Sequence, residues 1–169
     1  MDSKVKFIPA LTAEELCVIH DLAPILWQHA YSEILSQEQI SYMIEWMYSL
    51  DTLIKSVDNG TKFFLIEVGG ESFGFLALTP EKEDVSKISL DKLYLHKKFH
   101  GAGIGQKALD FACDYARKHS FAEILLHVNK NNLKAQKAYL RNGFVISEAV
   151  VNDIGNSFVM DDFVMRKIL

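Results

Sequence analysis

The sequence has few of the residues that cross-link a chain or hold a metal. Cysteine occurs twice in 169 residues, at Cys17 and Cys113, and each lies in a stretch with helical periodicity. This excludes a disulfide framework and a cysteine-based zinc site. The histidines lack the spacing typical of metal ligands, so we expect no metal.

Long apolar runs and a large excess of either charge are also missing. No run approaches the length of a membrane-spanning segment, and residues 1–4 form no apolar signal region. A formal net charge of −4 gives no overall attraction to nucleic acid or to an anionic membrane surface. We therefore expect a protein of the reducing cytoplasm with no nucleic-acid or membrane partner.

The composition that is present, 49% hydrophobic and 24% charged, is typical of a globular protein. Residue patterns predict strands over residues 5–8, 62–68, 71–79, 86–95, 123–128, 144–151 and 157–167. They predict two helices between residues 12 and 58, and one helix each over 104–120 and 133–142. The order β-αα-β-β-β-α-β-α-β-β indicates a single α/β domain over residues 1–169. Its sheet is mixed and mostly antiparallel, but strands 86–95 and 123–128 are parallel because a helix connects them.

Capping signals mark the starts of the first two helices. Thr12 with Glu15, and Ser36 with Gln39, have the spacing of capping boxes, in which each side chain of the pair bonds a backbone N–H near the other. Pro24 lies inside the first helical pattern, so we expect it to kink that helix or divide it in two.

The most informative stretch lies between Leu93 and Leu109. It begins as a strand, passes two lysines and two histidines, and places glycines at alternate positions, Gly101, Gly103 and Gly105, before an apolar helix. The first N–H groups of a helix have no partner within it, and the helix dipole adds positive charge there. With no side chains in the way, several N–H groups can point at one anion, which predicts a phosphate or pyrophosphate cradle.

Two well-known nucleotide-binding patterns do not fit this stretch. The dinucleotide fingerprint needs glycines spaced by two and then three residues, whereas these are spaced by two throughout. The phosphate loop of nucleoside triphosphatases needs Gly-Lys-Ser or Gly-Lys-Thr, which does not follow here. A nicotinamide or triphosphate site is therefore not expected.

The stretch instead resembles the GNAT superfamily of acetyl-CoA-dependent N-acetyltransferases. The family signature, Arg/Gln-x-x-Gly-x-Gly/Ala after a strand, fits residues 100–105 except at the first position, where this chain has His100. A second family motif resembles the segment from Val128 to Phe144, with Asn132 and Tyr139 at the family's Asn and Tyr positions. The two motifs occur in the family's order.

The resemblance implies a site for acetyl-CoA or coenzyme A, at a place where the parallel strands splay apart. The edge of Leu93-Tyr94-Leu95 would pair with the pantetheine arm, and Asn132 would touch that arm. The pyrophosphate would be held by the turn, whose residues are His100, Gly101, Ala102, Gly103, Ile104 and Gly105.

The resemblance also implies two catalytic roles. The backbone amide of Leu95 would polarise the thioester carbonyl. The phenol of Tyr139 would protonate the departing thiolate.

Aromatic residues concentrate in the first two predicted helices, which cover the acceptor side of the cleft in the family. Trp27, Tyr31 and Tyr42 are candidates for a wall that binds an alkylammonium by cation–π contact, with core packing as the alternative. Asp161 is a further candidate, because an acidic side chain attracts a cationic amine. The segment from Tyr31 to Tyr48 also resembles bacterial polyamine and diamine acetyltransferases.

The general base stays open among Asp91, His96, Glu67 and the pair Asp161-Asp162. The expected activity is acetyl transfer to a primary amine of a small molecule, polyamine-like or amino-acid-like, by direct attack in a ternary complex. The alternatives are a non-catalytic acyl-CoA-binding sensor and an enzyme that acetylates protein N-termini or lysines. The strand-rich C-terminus offers sheet edges through which a homodimer can form.

Overall fold

The computed structural model describes residues 4–169, so residues 1–3 of the segment considered above for a signal region lie outside it. Its elements in chain order are β1 (Val5–Pro9), α1 (Ala13–Tyr31), α2 (Gln37–Tyr48), α3 (Leu50–Asp58), β2 (Lys62–Val68), β3 (Glu71–Pro80), β4 (Lys87–Leu95), a 3-10 turn (Lys97–Phe99), α4 (Ile104–Lys118), β5 (Glu123–Asn129), α5 (Leu133–Arg141), β6 (Val145–Gly155) and β7 (Phe158–Ile168). None of the helices in this range is long and apolar enough to cross a membrane.

The seven strands form one sheet in the order β1-β2-β3-β4-β5-β7-β6, and this confirms the predicted mixed α/β architecture. Every neighbouring pair is antiparallel except β4 and β5. The parallel pairing lasts for only three residue pairs, from Lys87↔Glu123 to Ser89↔Leu125. Beyond that point β4 still pairs with β3, and β5 with β7, so the sheet opens between β4 and β5.

Side chains alternate between the two faces of the sheet, and each face has its own core. One core packs the sheet against α4, with Leu76, Ile88 and Ile124 fully buried there. The other packs the sheet against α1, α2 and α3 through Phe75 and other side chains. In this second core the Trp27 indole N–H donates to the Tyr48 hydroxyl at 2.9 Å.

The N-terminal helices differ from the expectation in number and continuity. Three helices occupy residues 13–58, because Ser49 caps a new helix by accepting from the Thr52 N–H at 3.3 Å. Of the two outcomes expected at Pro24, division of the helix is wrong, since α1 continues through it from Ala13 to Tyr31, and the kink stays a prediction. Nineteen residues of helix with a buried face outweigh the loss of one backbone hydrogen bond.

The capping box of Thr12 and Glu15 is confirmed in both of its hydrogen bonds. The second box forms only in part: the Ser36 hydroxyl accepts from the Gln39 N–H at 3.1 Å. The Gln39 side chain does not return that bond but donates to the Val159 carbonyl at 2.9 Å.

Helix α2 is fastened to the hairpin of β6 and β7. Besides the Gln39 bond, the Tyr42 hydroxyl donates to the Ile154 carbonyl at 2.6 Å. The hairpin is longer than expected, since its strands reach Gly155 and begin again at Phe158. Strand β6 is an edge of the sheet, and homodimer formation through it stays a prediction.

At Gly74, β3 and β4 approach each other closely, beside the opening between β4 and β5. A Cβ at this position would lie 2.4 Å from the Tyr94 carbonyl oxygen and 3.2 Å from the Leu95 Cα. Because backbone cannot yield without moving β4, Gly74→Ala should lower the free energy of unfolding by about 1–3 kcal/mol, as other overpacked sites do. Urea unfolding followed by circular dichroism measures this.

Gly105→Ala is the matched control. A Cβ there meets nothing within 4 Å, and Gly105 lies in the first turn of α4 with no left-handed backbone angle. Its unfolding free energy should stay equal or rise by up to ~1 kcal/mol, because alanine favours helix. Equal stability of the two variants would contradict the close approach at Gly74.

Candidate functional site

A cavity of about 710 Å³ lies where β4 and β5 separate. Its walls come from the open stretches of both strands, the end of α1 with the loop that follows, and α5. Seven of the residues predicted for the site line it together: Leu93, Tyr94, Leu95, His100, Asn132, Tyr139 and Tyr31.

The edge of β4 presents unpaired backbone amides to this cavity. The His96 N–H donates to the Phe73 carbonyl of β3 at 2.8 Å. Backbone N–H groups alternate in direction along a strand. The N–H groups of Leu93 and Leu95 therefore point away from β3, into the opening that β5 has left. They can donate to a ligand that lies along β4.

The glycine turn leaves the first turn of α4 open to an anion. Gly103 is the N-cap residue with a φ of 76°, a left-handed conformation that glycine adopts without strain, and no side chain caps the helix. A Cβ at Gly101, Gly103 or Gly105 would meet nothing within 4 Å, so the backbone there is accessible. Unpaired N–H groups at a helix N-terminus bind phosphate groups well.

His100 bridges the two sides of the opening. Its Nε2 lies 3.0 Å from the Leu95 carbonyl oxygen, to which it can only donate. Nδ1 is then the acceptor for the Lys134 ammonium, which lies 2.9 Å away on α5. The imidazole is engaged within the protein, and Lys134 is the cation that it holds against the cavity wall.

Three tyrosines line the cavity: Tyr31, Tyr94 and Tyr139. The hydroxyls of Tyr31 and Tyr94 are 3.1 Å apart and hydrogen-bonded. Burial raises the pKa of Tyr31, of Tyr94 and of Tyr139. At neutral pH the Tyr139 phenol is therefore protonated and can donate a proton to a group in the cavity.

Asp91 occupies a bulge in β4. Ala77 of β3 pairs with Lys92 and Leu78 pairs with Leu90, so Asp91 has no residue opposite it. Its carboxyl accepts a hydrogen bond from the Thr79 hydroxyl and lines the cavity. Partial removal from water raises the pKa of Asp91, while the Thr79 bond and the cationic Lys92 oppose that rise.

Three of the residues predicted for acceptor binding lie away from the cavity wall. Trp27 is buried and bonded to Tyr48, and Tyr42 is bonded to the Ile154 carbonyl. Asp161 is exposed and forms an ion pair with Lys130. Among the candidate bases only Asp91 lines the cavity, whereas Glu67, His96, Asp161 and Asp162 do not.

Two histidines that the sequence did not single out, His29 and His127, also line the cavity. The Nδ1 of His29 is buried with no partner among residues 4–169, and its ring packs edge-on against His96 at 5.0 Å. Burial lowers the pKa of His29, and the positive charge of Lys97 lowers it further. Each histidine is isolated in an otherwise ordinary element, so no local pattern marks it.

The chain was compared with protein families and with curated relatives. The Acetyltransferase (GNAT) family model matches residues 21–144. The spermidine N(1)-acetyltransferase of Thermoplasma acidophilum is 28% identical over 159 residues, which cover 91% of this chain and 94% of that protein. An uncharacterized N-acetyltransferase of Lactobacillus delbrueckii subsp. lactis is 28% identical over 115 residues, 65% of this chain and 66% of that one.

Solved structures share the whole fold. The PaiA N-acetyltransferase of Thermoplasma acidophilum, solved in complex with coenzyme A, superposes with a TM-score of 0.82 at 24% identity, covering 98% of this chain and 99% of that one. A GCN5-related N-acetyltransferase from Rhodopseudomonas palustris gives a TM-score of 0.81 at 18% identity, with coverages of 100% and 98%. With two motifs, an opened parallel strand pair and a family match over most of its length, this chain belongs to the GNAT family of N-acetyltransferases, whose acetyl donor is acetyl-CoA.

Proposed function

We propose that this protein transfers the acetyl group of acetyl-CoA to a primary amine of a small cationic molecule, within a ternary complex. The observation that carries the proposal is the single cavity wall that joins free β4 amides, a protonated Tyr139 and the Asp91 carboxyl. The amides can bind the acetyl donor, Tyr139 can act as the acid, and Asp91 can attract a cationic acceptor, so one cavity holds what the reaction needs.

The residues present fit acetyl-CoA. The unpaired amides of Leu93 and Leu95 suit the amide-bearing pantetheine arm, which can add to the open edge of β4 as a strand would. The uncapped start of α4, with open space over its glycines, suits the pyrophosphate. Lys134, held by His100, adds a positive charge on the cavity wall.

Acetyl-CoA supplies an acetyl thioester, and transfer to an amine breaks its C–S bond and forms a C–N bond. In the proposed mechanism the Leu95 amide donates to the thioester oxygen, where negative charge develops. The Tyr139 hydroxyl gives its proton to the departing sulfur, and the tyrosinate then takes the surplus proton from the acylated nitrogen. Tyr139 thus ends the cycle protonated, as it began.

The closed shape of the acceptor side favours a small molecule over a polypeptide. An extended peptide would need an open groove between the helices and the β6–β7 hairpin. The two hydrogen bonds of Gln39 and Tyr42 to hairpin carbonyls hold α2 against the hairpin and leave little room for a peptide between these two elements. The spermidine N(1)-acetyltransferase of T. acidophilum, similar along 91% of this chain, supports a polyamine-like acceptor.

Lys134→Met tests the anion end of the cavity. Losing a charged contact to phosphate should weaken acetyl-CoA binding about tenfold, since charged hydrogen bonds contribute roughly 1.5–3 kcal/mol. Calorimetric titration with acetyl-CoA measures this. Lys137→Met is the matched control, because Lys137 lies on the same helix but does not line the cavity. If the two variants bind acetyl-CoA with equal affinity, Lys134 does not contact the phosphate groups.

Tyr139→Phe tests the acid. Turnover should fall by about a hundredfold or more, the usual value of a positioned acid, while acetyl-CoA affinity stays unchanged because only the hydroxyl is lost. Thiol release in steady state gives kcat, and calorimetry gives the affinity. Tyr115→Phe, on α4 and away from the cavity, is the control and should keep wild-type turnover. If Tyr139→Phe keeps the wild-type kcat, Tyr139 is not the acid.

The function itself is tested with a panel of acceptors. Thiol release from acetyl-CoA should depend on an added amine, with polyamines and diamines ahead of free amino acids, because Asp91 repels a carboxylate beside the amine. N-terminal peptides and lysine-containing proteins complete the panel. Acetylation of peptides alone would favour the protein-modifying alternative. Tight acetyl-CoA binding with no acceptor in the panel would favour the sensor.

A further inference from the structure

Three titratable side chains lie on neighbouring strands where the sheet opens, on β4, β5 and β7. Ser89 and Leu125 form the last parallel pair of β4 and β5. Two residues further along each strand lie Asp91 and His127, and both line the cavity. On the other side of β5, Asp162 of β7 pairs with Asn129, two residues beyond His127.

His127 and Asp162 project from the same face of the sheet. Side chains alternate along a strand, so His127 shares a face with Asn129, the partner of Asp162. Val128, between them, packs into the core with α4. His127 and Asp162 therefore face α1 to α3, and cross-strand diagonal neighbours of this kind lie about 7–8 Å apart. The Asp162 charge also acts on Tyr31, which lines the cavity from α1.

Asp162 is an unusual carboxylate because it is buried without a full set of partners. The residue is only 6% exposed, and its Oδ1 has no hydrogen-bond partner among residues 4–169. Burying such a group without a partner costs stability, so its presence needs an explanation. Burial raises the pKa of Asp162, and the neighbouring His127 is the strongest opposing effect.

The three groups are arranged for an organic cation. No set of three His, Cys, Asp or Glu side chains within residues 4–169 converges closely enough to hold a metal ion. An alkylammonium is larger than a metal ion and needs acceptors spread around it. Asp91 provides a carboxyl group on the cavity wall beside the exposed His127 imidazole, and Asp162 adds a buried carboxyl group behind that wall on the other side of β5.

His29, the other unassigned cavity histidine, faces the wrong charges for this role. Its neighbours are Lys97, His96 and His100, at the anion end of the cavity. Positive neighbours repel an ammonium and disfavour taking up a proton. His127 has carboxyl neighbours instead, which attract an ammonium.

Building on the proposed function, we propose that His127 is the general base, that Asp91 holds the acceptor ammonium beside it, and that the buried Asp162 attracts the ammonium by its charge from behind the cavity wall. One N–H bond of the ammonium breaks, and its proton bonds to an imidazole nitrogen of His127. The electron pair left on the amine is then free to attack the thioester carbon. The His127 imidazolium releases the proton to solvent, since this side chain is exposed at the cavity opening.

The experiment compares two acceptors of equal size that differ in protonation. One is an alkylamine that the wild-type protein acetylates, and the other is its aminooxy analogue, which is largely unprotonated at neutral pH. His127→Gln should lower kcat/KM for the alkylamine about a hundredfold, and for the aminooxy acceptor less than about threefold, because the latter needs no base. His119→Gln is the control, since His119 stacks on Tyr115 away from the cavity.

A second variant gives a readout that does not depend on turnover. Asp162→Asn removes a costly buried charge, so its melting temperature should rise. In the same variant, calorimetric titration without acetyl-CoA should show weaker binding of the alkylamine. Asp114→Asn, an exposed residue paired with Arg117 on α4, should change neither quantity.

The outcomes separate this inference from the function on which it rests. A wild-type protein that acetylates no amine overturns both. An active wild-type protein in which His127→Gln loses equal activity with both acceptors overturns the base assignment alone. The same holds if the selective loss belongs to His29→Gln. If Asp162→Asn binds the alkylamine as tightly as the wild-type protein does, Asp162 does not contribute to acceptor binding.

Discussion

The separation of β4 from β5 is the constraint on which the site depends. A parallel pair that continued past Ser89 and Leu125 would use up the amides of Leu93 and Leu95 in backbone hydrogen bonds. The two strands can separate because the other edge of each stays paired, β4 with β3 and β5 with β7. The open amides still need a partner, because exposed backbone donors in a partly apolar cleft are costly to leave unbonded. A ligand with its own amides meets that need.

Charge is distributed unevenly along the resulting cavity. Lys97 and Lys134 lie at the end near the glycine turn, where phosphate groups are expected. Asp91 lies at the other end, where the two strands first part. A substrate pair of opposite charge is sorted by this field: the anionic donor is drawn to one end and the cationic acceptor to the other. The protonated Tyr139 adds no charge between them.

The parts of the site that the sequence predicted are local in the chain. The glycine turn, the strand before it and the Asn132-to-Tyr139 segment each carry their signal within a few residues. Of these, the strand and the Asn132-to-Tyr139 segment line one cavity, whereas residues 101–105 of the turn lie outside its lining. His127 could not be found this way, and Asp162 was named only as one of several candidate bases, because their proximity depends on the pairing of β5 with β7 and on which face each side chain takes. Helix α3 was missed for a related reason. In the sequence, Ser49 looks like a polar residue on the exposed side of one continuous helix. Its role as a cap becomes clear only from its hydrogen bond with the Thr52 N–H.

The fastening of α2 to the β6–β7 hairpin has a consequence for how the protein can diverge. Tyr42 and Gln39 donate to main-chain carbonyls, those of Ile154 and Val159. Any residue supplies such a carbonyl, so the hairpin side chains can be exchanged during evolution while the attachment of α2 to the hairpin is preserved. Relatives that keep this attachment can therefore carry very different outer surfaces on the hairpin.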